Sequence, residues 1–309
     1  MNGTPKVSVC ITCYRQADLL EQCLQSVLTQ VTTFPFEVIV SDDASPDDTA
    51  SVLGRWALAY PDRLRVNINK SNIGAFRNYL LSHDLARGEY VAHLDGDDQI
   101  LPGKLQTQAD ILDRRPDVAI SAHAVKVIDH IRTMGAEDMY PELGTIDDLV
   151  RRGTYFVHSS VMYRRSARIG FDAIPLDEVI DFRSHIEMAA HGKIHLFRKP
   201  LGAYRWHPAG ISKNPAFRSS IEHAYERAFA RARELGVHDE VVKAGILRHR
   251  MSLAIARLVA NEPQEFRRLI VIPRGWIRVA SPKHVMLHVF RSLCAIKFVQ
   301  DAIRRKVSA

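Results

Sequence analysis

The sequence predicts an α/β fold: a mostly parallel sheet flanked by helices, followed by a C-terminal helical extension. Three observations carry this. Over residues 7–94, short apolar runs suited to strands alternate with amphipathic helical stretches, the order that right-handed crossovers build into a parallel sheet. The predicted strands end in polar tips, and two of those tips, Ser41-Asp42-Asp43 and Asp95-Gly96-Asp97-Asp98, carry paired acids. From Ser219 onward the pattern is helical only.

Val7-Ser8-Val9-Cys10-Ile11-Thr12 reads as a buried strand. Asp18 to Gln30 is helical, with Leu19, Leu20, Cys23, Leu24, Val27 and Leu28 on one face and Asp18 placed to cap it. Phe36–Val40 is a second strand. Ser45-Pro46-Asp47-Asp48 has the form of a capping box with proline at the first helical position, followed by an apolar face of Val52, Leu53, Trp56 and Tyr60. Leu64, Val66 and Ile68 alternate as a third strand, Gly74 precedes a helix through about Ala86, and residues 90–94 form the next strand. Beyond Pro116 the pattern predicts a strand over 118–127, a short helix from Thr145 ended by Gly153, and a strand over 157–163. A helix over 177–190 with Gly192 at its C-cap follows, then strands near 193–198 and 201–206. Ile221, Ala224, Tyr225, Ala228, Phe229, Ala232 and Leu235 keep helical spacing without a break. The expected division is a domain over 1–214 and a basic helical region over 215–309.

Hydrophobic content of 46% and charged content of 25% are ordinary for a soluble globular chain. No apolar run reaches the roughly 18 residues of a membrane span, and the first residues lack the apolar stretch of a signal peptide, so a cytoplasmic location is expected. Cys10 and Cys13 form a C-x-x-C pair, but in and just after a strand and with no second pair for zinc; they read as small buried residues. The net charge of +7 is unevenly spread: residues 215–309 hold 18 basic and 8 acidic residues. From Phe266 to the end the balance is 10 to 1. Such asymmetry suggests an anionic partner. Pro282–Val307 has the pattern of one amphipathic basic helix, suited equally to an anionic membrane surface at the inner face or to packing against the domain over 1–214 or a second copy in a homodimer.

Tyr90-Val91-Ala92-His93-Leu94-Asp95-Gly96-Asp97-Asp98 is an apolar run that ends in three carboxylates. Like charges so close repel, and the usual remedy is a hard divalent cation, Mn²⁺ or Mg²⁺, with oxygen ligands. Such a metal commonly stabilises a departing diphosphate. In open parallel sheets ligands bind beyond the carboxyl ends of the strands, where both acid pairs fall.

The order of these segments over residues 6–213 resembles the family-2 glycosyltransferases, which have the GT-A fold, a Rossmann-like sheet. The resemblance rests on the opening strand with Thr12 and Tyr14; on Val40-Ser41-Asp42-Asp43-Ala44-Ser45-Pro46-Asp47-Asp48-Thr49; on Asn72-Ile73-Gly74 with Arg77-Asn78; and on Ala86-Arg87-Gly88-Glu89-Tyr90. It rests further on Asp95-Gly96-Asp97-Asp98, on Asp181 through Gly192, and on Tyr204-Arg205-Trp206-His207. Phe34–Glu37 and Lys104-Leu105-Gln106 look like a branch that builds bacterial surface polysaccharides. The resemblance implies an inverting transfer of one sugar from a nucleotide-sugar, UDP- or dTDP-linked, to a hydroxyl of a glycan or lipid-linked acceptor. It implies that Asp43 takes the base N–H, that Thr12 and Tyr14 line the base pocket, and that Asn72, Gly74, Arg77, Asn78, Asp95, Gly96 and Arg205 contact the donor. Asp97, Asp98 and His207 are the implied metal ligands and Asp181 the implied general base, with Asp177 and Glu178 as neighbouring rivals. The family often has Glu-Asp where this chain reads Ile180-Asp181. Gly202 stands where processive synthases carry Gln, and with no membrane span this favours transfer of a single sugar.

Two other readings use the same residues. An Asp-x-Asp phosphotransferase or phosphatase usually carries its acids after the first strand, whereas here they follow a later one. A non-catalytic polyanion-binding protein would use the basic tail, but no basic patch interleaved with aromatic residues is present, so no nucleic-acid partner is expected.

Overall fold

The computed structural model describes residues 4–168, 171, 174–176, 180–207 and 217–289. The chain divides into two compact units: Met1–Ile146 with Thr154–Tyr225, and Asp147–Gly153 with Glu226–Ala309.

The first unit holds a ten-stranded sheet. Its elements are β1 (Val7–Cys13), α1 (Ala17–Leu28), β2 (Phe36–Asp42), α2 (Thr49–Ala59), β3 (Leu64–Ile68), α3 (Ala75–Asp84) and β4 (Tyr90–Asp95). Then come β5 (Gln99–Ile100), α4 (Lys104–Arg114), β6 (Val118–Val127), β7 (Thr133–Met134) and β8 (Leu143–Gly144). After α5 (Ile146–Arg152), the chain forms β9 (Met162–Arg164), α6 (Asp181–Ala189) and β10 (Lys193–Tyr204). The strand order is β3-β2-β1-β4-β9-β6-β10-β5, with β7 on β6 and β8 on β10. Strands β3, β2, β1 and β4 are parallel, as are β6 and β10; β9 joins the two sets antiparallel to both neighbours.

Parallel strands are covered on both faces and so read as continuous apolar runs. β1 follows this: all its residues but Thr12 are buried. Leu20, Cys23, Leu24, Val27 and Leu28 of α1 pack with Val7, Val9 and Ile11 in one core. Each such side chain contributes about 1.5–3 kcal/mol when fully buried. β2 is buried throughout and carries Glu37 inside. That charge is compensated by the Ser8 hydroxyl, by Arg65 and by the side chain and backbone N–H of Arg87. Gly88 belongs to the same corner, where a Cβ would lie 2.6 Å from Ser8 N and 2.8 Å from Tyr90 O.

Several local expectations are corrected. α2 starts at Thr49, not at the Ser45-Pro46 pair. The cause is Asp47, whose carboxylate accepts from Thr49 N and Thr49 Oγ1 and also from Ala17 N, leaving the capping-box residues in the preceding turn. Asp18 is not the cap of α1; it lies in the first turn, after Gln16. The strand expected over 157–163 is a 3₁₀ turn, His158–Ser160, followed by the short β9. The two strands expected over 193–206 are one, β10, interrupted by bulges around Pro200, which cannot donate to the ladder. α6 starts at Asp181, while residues 177–179, including Asp177 and Glu178, lie outside the described residues.

The second unit is helical. Beyond α7 (Arg218–Glu234), which straddles the division, it contains α8 (Asp239–Val259), α9 (Pro263–Leu269) and α10 (Pro282–Val289). Ala254, Leu258, Phe266, Leu269, Ile270 and Leu287 form its core. Of the amphipathic helix expected over 282–307, residues 290–307 lie outside the described residues, as does Cys294. Cys10, Cys13 and Cys23 are buried free thiols. No helix among the described residues is long and apolar enough to cross a membrane.

Candidate active site

The first crossovers run from β1 out to β3, and the chain then returns to the other side of β1 as β4. This reversal opens a crevice at the carboxyl ends of the strands. The register aligns the rim: Thr12 pairs with Ser41 of β2 on one side and with Asp95 of β4 on the other. Gly96 N donates to Thr12 O at 2.9 Å, and a Cβ on Gly96 would sit 2.8 Å from that of Cys13, so glycine permits this approach. Tyr14 stands at the mouth, 41% exposed, with the Arg15 guanidinium 5.4 Å from its ring centre. An exposed ring beside a parallel rim suits stacking on a planar base.

Asp42 is fully buried and accepts from Ser45 N and Ser45 Oγ. Asp43, also buried, is the anchor of the loop after β3. Its Oδ1 accepts from Ile73 N at 2.8 Å and Asn69 Nδ2 at 3.0 Å, and its Oδ2 from Gly74 N at 2.9 Å. Asn72 reaches the Asp43 carbonyl at 3.3 Å. Gly74 has φ +90°, and a Cβ there would meet nothing within 4 Å, so backbone conformation rather than space calls for glycine. Arg77 is exposed on the first turn of α3. Asn78 differs from the expectation of a donor contact: it is 1% exposed, donates to Ser41 O and accepts from Ser41 Oγ and Asn69 Nδ2. It is a strut beneath the rim.

The three acids of the cluster face different ways. Asp95 Oδ1 lies 3.2 Å from His93 Nε2, and its Oδ2 accepts from Ser159 Oγ at 3.1 Å. Lost hydration opposes its ionisation, but the hydrogen bond and charge of His93 prevail and hold the carboxyl down at about 2. Asp97 Oδ2 lies 3.1 Å from His207 Nε2. Burial, then the charge of Asp95, push the Asp97 carboxyl up. Asp98 is 1% exposed and turned inward, its Oδ1 accepting from Arg205 N at 2.7 Å while its buried Oδ2 has no hydrogen-bond partner. Burial and its two acidic neighbours raise it far above the carboxylate range. Arg205 Nε also donates to Asp97 O, at 3.3 Å, which pins the end of β10 to the cluster. Beneath lies Lys104, 1% exposed, with Nζ donating to Ser159 O; burial drives it down to about 7 against the pull of Asp98.

Asp181 opens α6, with its side chain 61% exposed and Oδ1 3.9 Å from His158 Nε2. The His158 ring lies 4.2 Å from that of His93, the residue bonded to Asp95. Two imidazoles therefore separate Asp181 from the acidic cluster. They belong to a buried group that single residues in the sequence did not announce. Tyr163 Oη meets His83 Nδ1 at 2.7 Å, His83 Nε2 meets His93 Nδ1 at 3.1 Å, and His158 Nδ1 meets His185 Nε2 at 2.9 Å. Tyr79 packs its ring against His83, His93 and His158. Burial pushes His83 and His185 well down and His158 down to about 4, so these three are neutral near pH 7. The local signal for this layer is that His93 interrupts an otherwise apolar run.

The model of glycosyl transferase family 2 matches residues 8–169, the stretch that carries the rim and the acidic cluster. The chain belongs to that family. This family-2 chain is 35% identical over 213 residues to the Mycobacterium tuberculosis protein Rv1520, which covers 66% of the chain and 60% of that protein. It is 34% identical over 171 residues to EpsE of Bacillus subtilis, named as a candidate glycosyltransferase, covering 54% and 59% respectively. The chain thus spans about 60% of the length of these curated relatives. Among solved structures, S. aureus TarS 1–349 in complex with UDP-GlcNAc superposes with a TM-score of 0.69 at 16% identity, covering 98% of this chain and 91% of that one. The mannosyltransferase PcManGT from Pyrobaculum calidifontis, in complex with GDP-Man and Mn²⁺, gives 0.58 at 19% identity, with 98% and 86% covered. These likenesses show the fold, GT-A, of the family-2 chain.

Proposed function

We propose that the chain transfers one sugar from a nucleoside-diphosphate sugar to a hydroxyl of a glycan or lipid-linked acceptor, with inversion at the anomeric carbon, in the building of a surface polysaccharide. What supports this reading is the chain of contacts from Asp181 through His158 and His93 to Asp95 of the acidic cluster. The acidic cluster follows β4, beside the carboxyl end of β1, and the exposed Asp181 lies two imidazoles away, the two rings in tilted contact with each other.

In this reading Tyr14 and Thr12 receive the base of a UDP- or dTDP-sugar, and Asp43, which also holds the loop 69–74, takes the base N–H. Arg205, at the same rim, faces the diphosphate, for which a guanidinium has matching geometry. Asp181 removes the proton of the acceptor hydroxyl as its oxygen bonds to the anomeric carbon. The crevice orients donor and acceptor and so lowers the entropic cost of their encounter.

The donor set fits a hard divalent cation in part. Asp97 and His207 stand together, and Asp98 leaves a buried oxygen unpaired. No group of three or more His, Cys, Asp or Glu among the described residues is arranged to hold a metal alone. Asp97 and His207, with Asp98 behind them, would hold Mn²⁺ or Mg²⁺ together with donor phosphates, as is usual for Mg²⁺. Such an ion, when bound, offsets the charge of the departing nucleoside diphosphate.

A thermal-shift panel of UDP-, dTDP- and GDP-sugars with Mn²⁺ tests the donor, since a ligand of the folded state raises stability by mass action. NMR of the product then reads the anomer. No shift with any nucleoside diphosphate, or a retained configuration, refutes the proposal. Binding of the second unit to anionic vesicles at low salt, against a compact dimer without vesicle binding, separates peripheral membrane contact at the inner face from a homodimer.

A further inference from the structure

We propose that His158, held by His185, is a positioning residue for Asp181: its Nε2–H engages Asp181 Oδ1 and leaves Oδ2 for the acceptor hydroxyl. This rests on the reading of Asp181 as the base. The tautomers of the two rings decide which atom donates. His158 Nδ1 and His185 Nε2 are 2.9 Å apart, so one carries the proton and the other accepts it. His185 is fully buried and its Nδ1 has no hydrogen-bond partner. An N–H buried there would have no acceptor, and that tautomer would also leave His158 Nε2 bare against the Asp181 carboxylate, acceptor against acceptor. His185 therefore keeps its proton on Nε2 and donates it to His158 Nδ1. Neutral His158 must then carry its own proton on Nε2, the atom that faces Asp181 Oδ1 at 3.9 Å. Rotation of the exposed Asp181 side chain closes that gap, and catalytic hydrogen bonds are often long until substrate is bound.

Tyr79 and His93 pack tilted against the His158 ring, with centroids at 5.4 and 4.2 Å, so the donor is fixed in direction before the acceptor arrives. During transfer the acceptor proton passes to Asp181 Oδ2 while the acceptor oxygen bonds to the anomeric carbon. The bond to the diphosphate breaks, the diphosphate leaves with its electron pair, and His158 keeps its own proton.

The test uses the full chain, the nucleotide-sugar that the thermal-shift panel selects, and its nucleoside diphosphate as binding probe. His158→Phe keeps the ring but has no donor; His158→Asn reaches His185 but stops short of Asp181; His158→Gln places an amide N–H near the Nε2 position. The expected result is a loss in kcat of about 10–100-fold for Phe and Asn, with nucleoside diphosphate Kd unchanged, and near-complete rescue by Gln. In an Asp181→Asn background, His158→Phe adds no further loss, because the two residues act as one unit. Wild-type kcat in His158→Phe alongside an inactive Asp181→Asn overturns the positioning role alone. Equal losses in the Asn and Gln variants overturn it as well, and this pair decides the matter if the Phe variant does not fold. Full turnover in Asp181→Asn overturns instead the reading of Asp181 as the base.

Discussion

Asp43→Asn is the substitution whose cost the geometry defines best, because it changes one atom in a buried anchor. Both carboxylate oxygens accept backbone N–H groups, Ile73 N at 2.8 Å on Oδ1 and Gly74 N at 2.9 Å on Oδ2, and Oδ1 also accepts from Asn69 Nδ2. An amide has only one acceptor oxygen. In its better orientation the new NH₂ faces Gly74 N, donor against donor, while the oxygen keeps the other two bonds at neutral strength. One unpaired buried donor costs about 1–3 kcal/mol, and two bonds lose their charge assistance, for a total of about 2–4 kcal/mol. In a domain of this size that lowers Tm by about 5–15 °C. Urea unfolding and a thermal melt read it directly. The loop 69–74 should loosen with it, so UDP binding weakens even where the folded fraction is complete. A Tm within about 1 °C of wild type would show that water or an alternative loop conformation satisfies these donors, and the account of Asp43 as the loop anchor would fail.

Three further outcomes follow from the same geometry. Asp181→Asn should lower turnover by about 10²–10⁴-fold while nucleoside diphosphate binding survives, measured by nucleotide release and calorimetry; near-wild-type turnover removes Asp181 from the mechanism. Dialysis against excess EDTA should abolish transfer and weaken UDP binding, with Mn²⁺ restoring both, and full activity after chelation contradicts the metal reading. Glu37 tests the pH dependence of the fold. Burial opposes its ionisation, but hydrogen bonds from Arg87, Ser8 and Arg65 prevail and hold its pKa below the usual value. Its stabilisation is therefore complete above the unfolded pKa of about 4.3 and is lost as pH falls through the lower folded value. Glu37→Gln should be less stable than wild type at pH 7, and the gap should shrink below about pH 4; a gap independent of pH in urea titrations refutes this.

What could be read from the chain and what could not divide along one physical line. Strand periodicity is local, so the rim formed by Ser41, Thr12 and Asp95 follows from it: once β1 lies between β2 and β4, register alone brings those residues together. The roles of neighbouring acids are not local. Asp95, Asp97 and Asp98 look interchangeable in sequence, yet one faces His93 and Ser159, one faces His207, and one is turned inward by the backbone of Arg205. Asn78 sits at a helix start where the pattern points to a donor contact, but its side chain faces Ser41 because α3 presents that face to β2. The start of α2 is displaced for a like reason, since Asp47 serves α1 as well as its own helix. The imidazole layer is the extreme case. His83, His93, His158 and His185 come from α3, β4, a 3₁₀ turn and α6, and no spacing links them. The fold sets His93 and His158 between Asp95 and Asp181, backs them with His83 and His185, and buries His83, His158 and His185 until they are neutral. In the proposed reaction the neutral pair His158 and His185 would orient Asp181 without adding charge beside the departing diphosphate. A cationic side chain in place of His158 would lower the basicity of Asp181 and so weaken it in the proposed role of base.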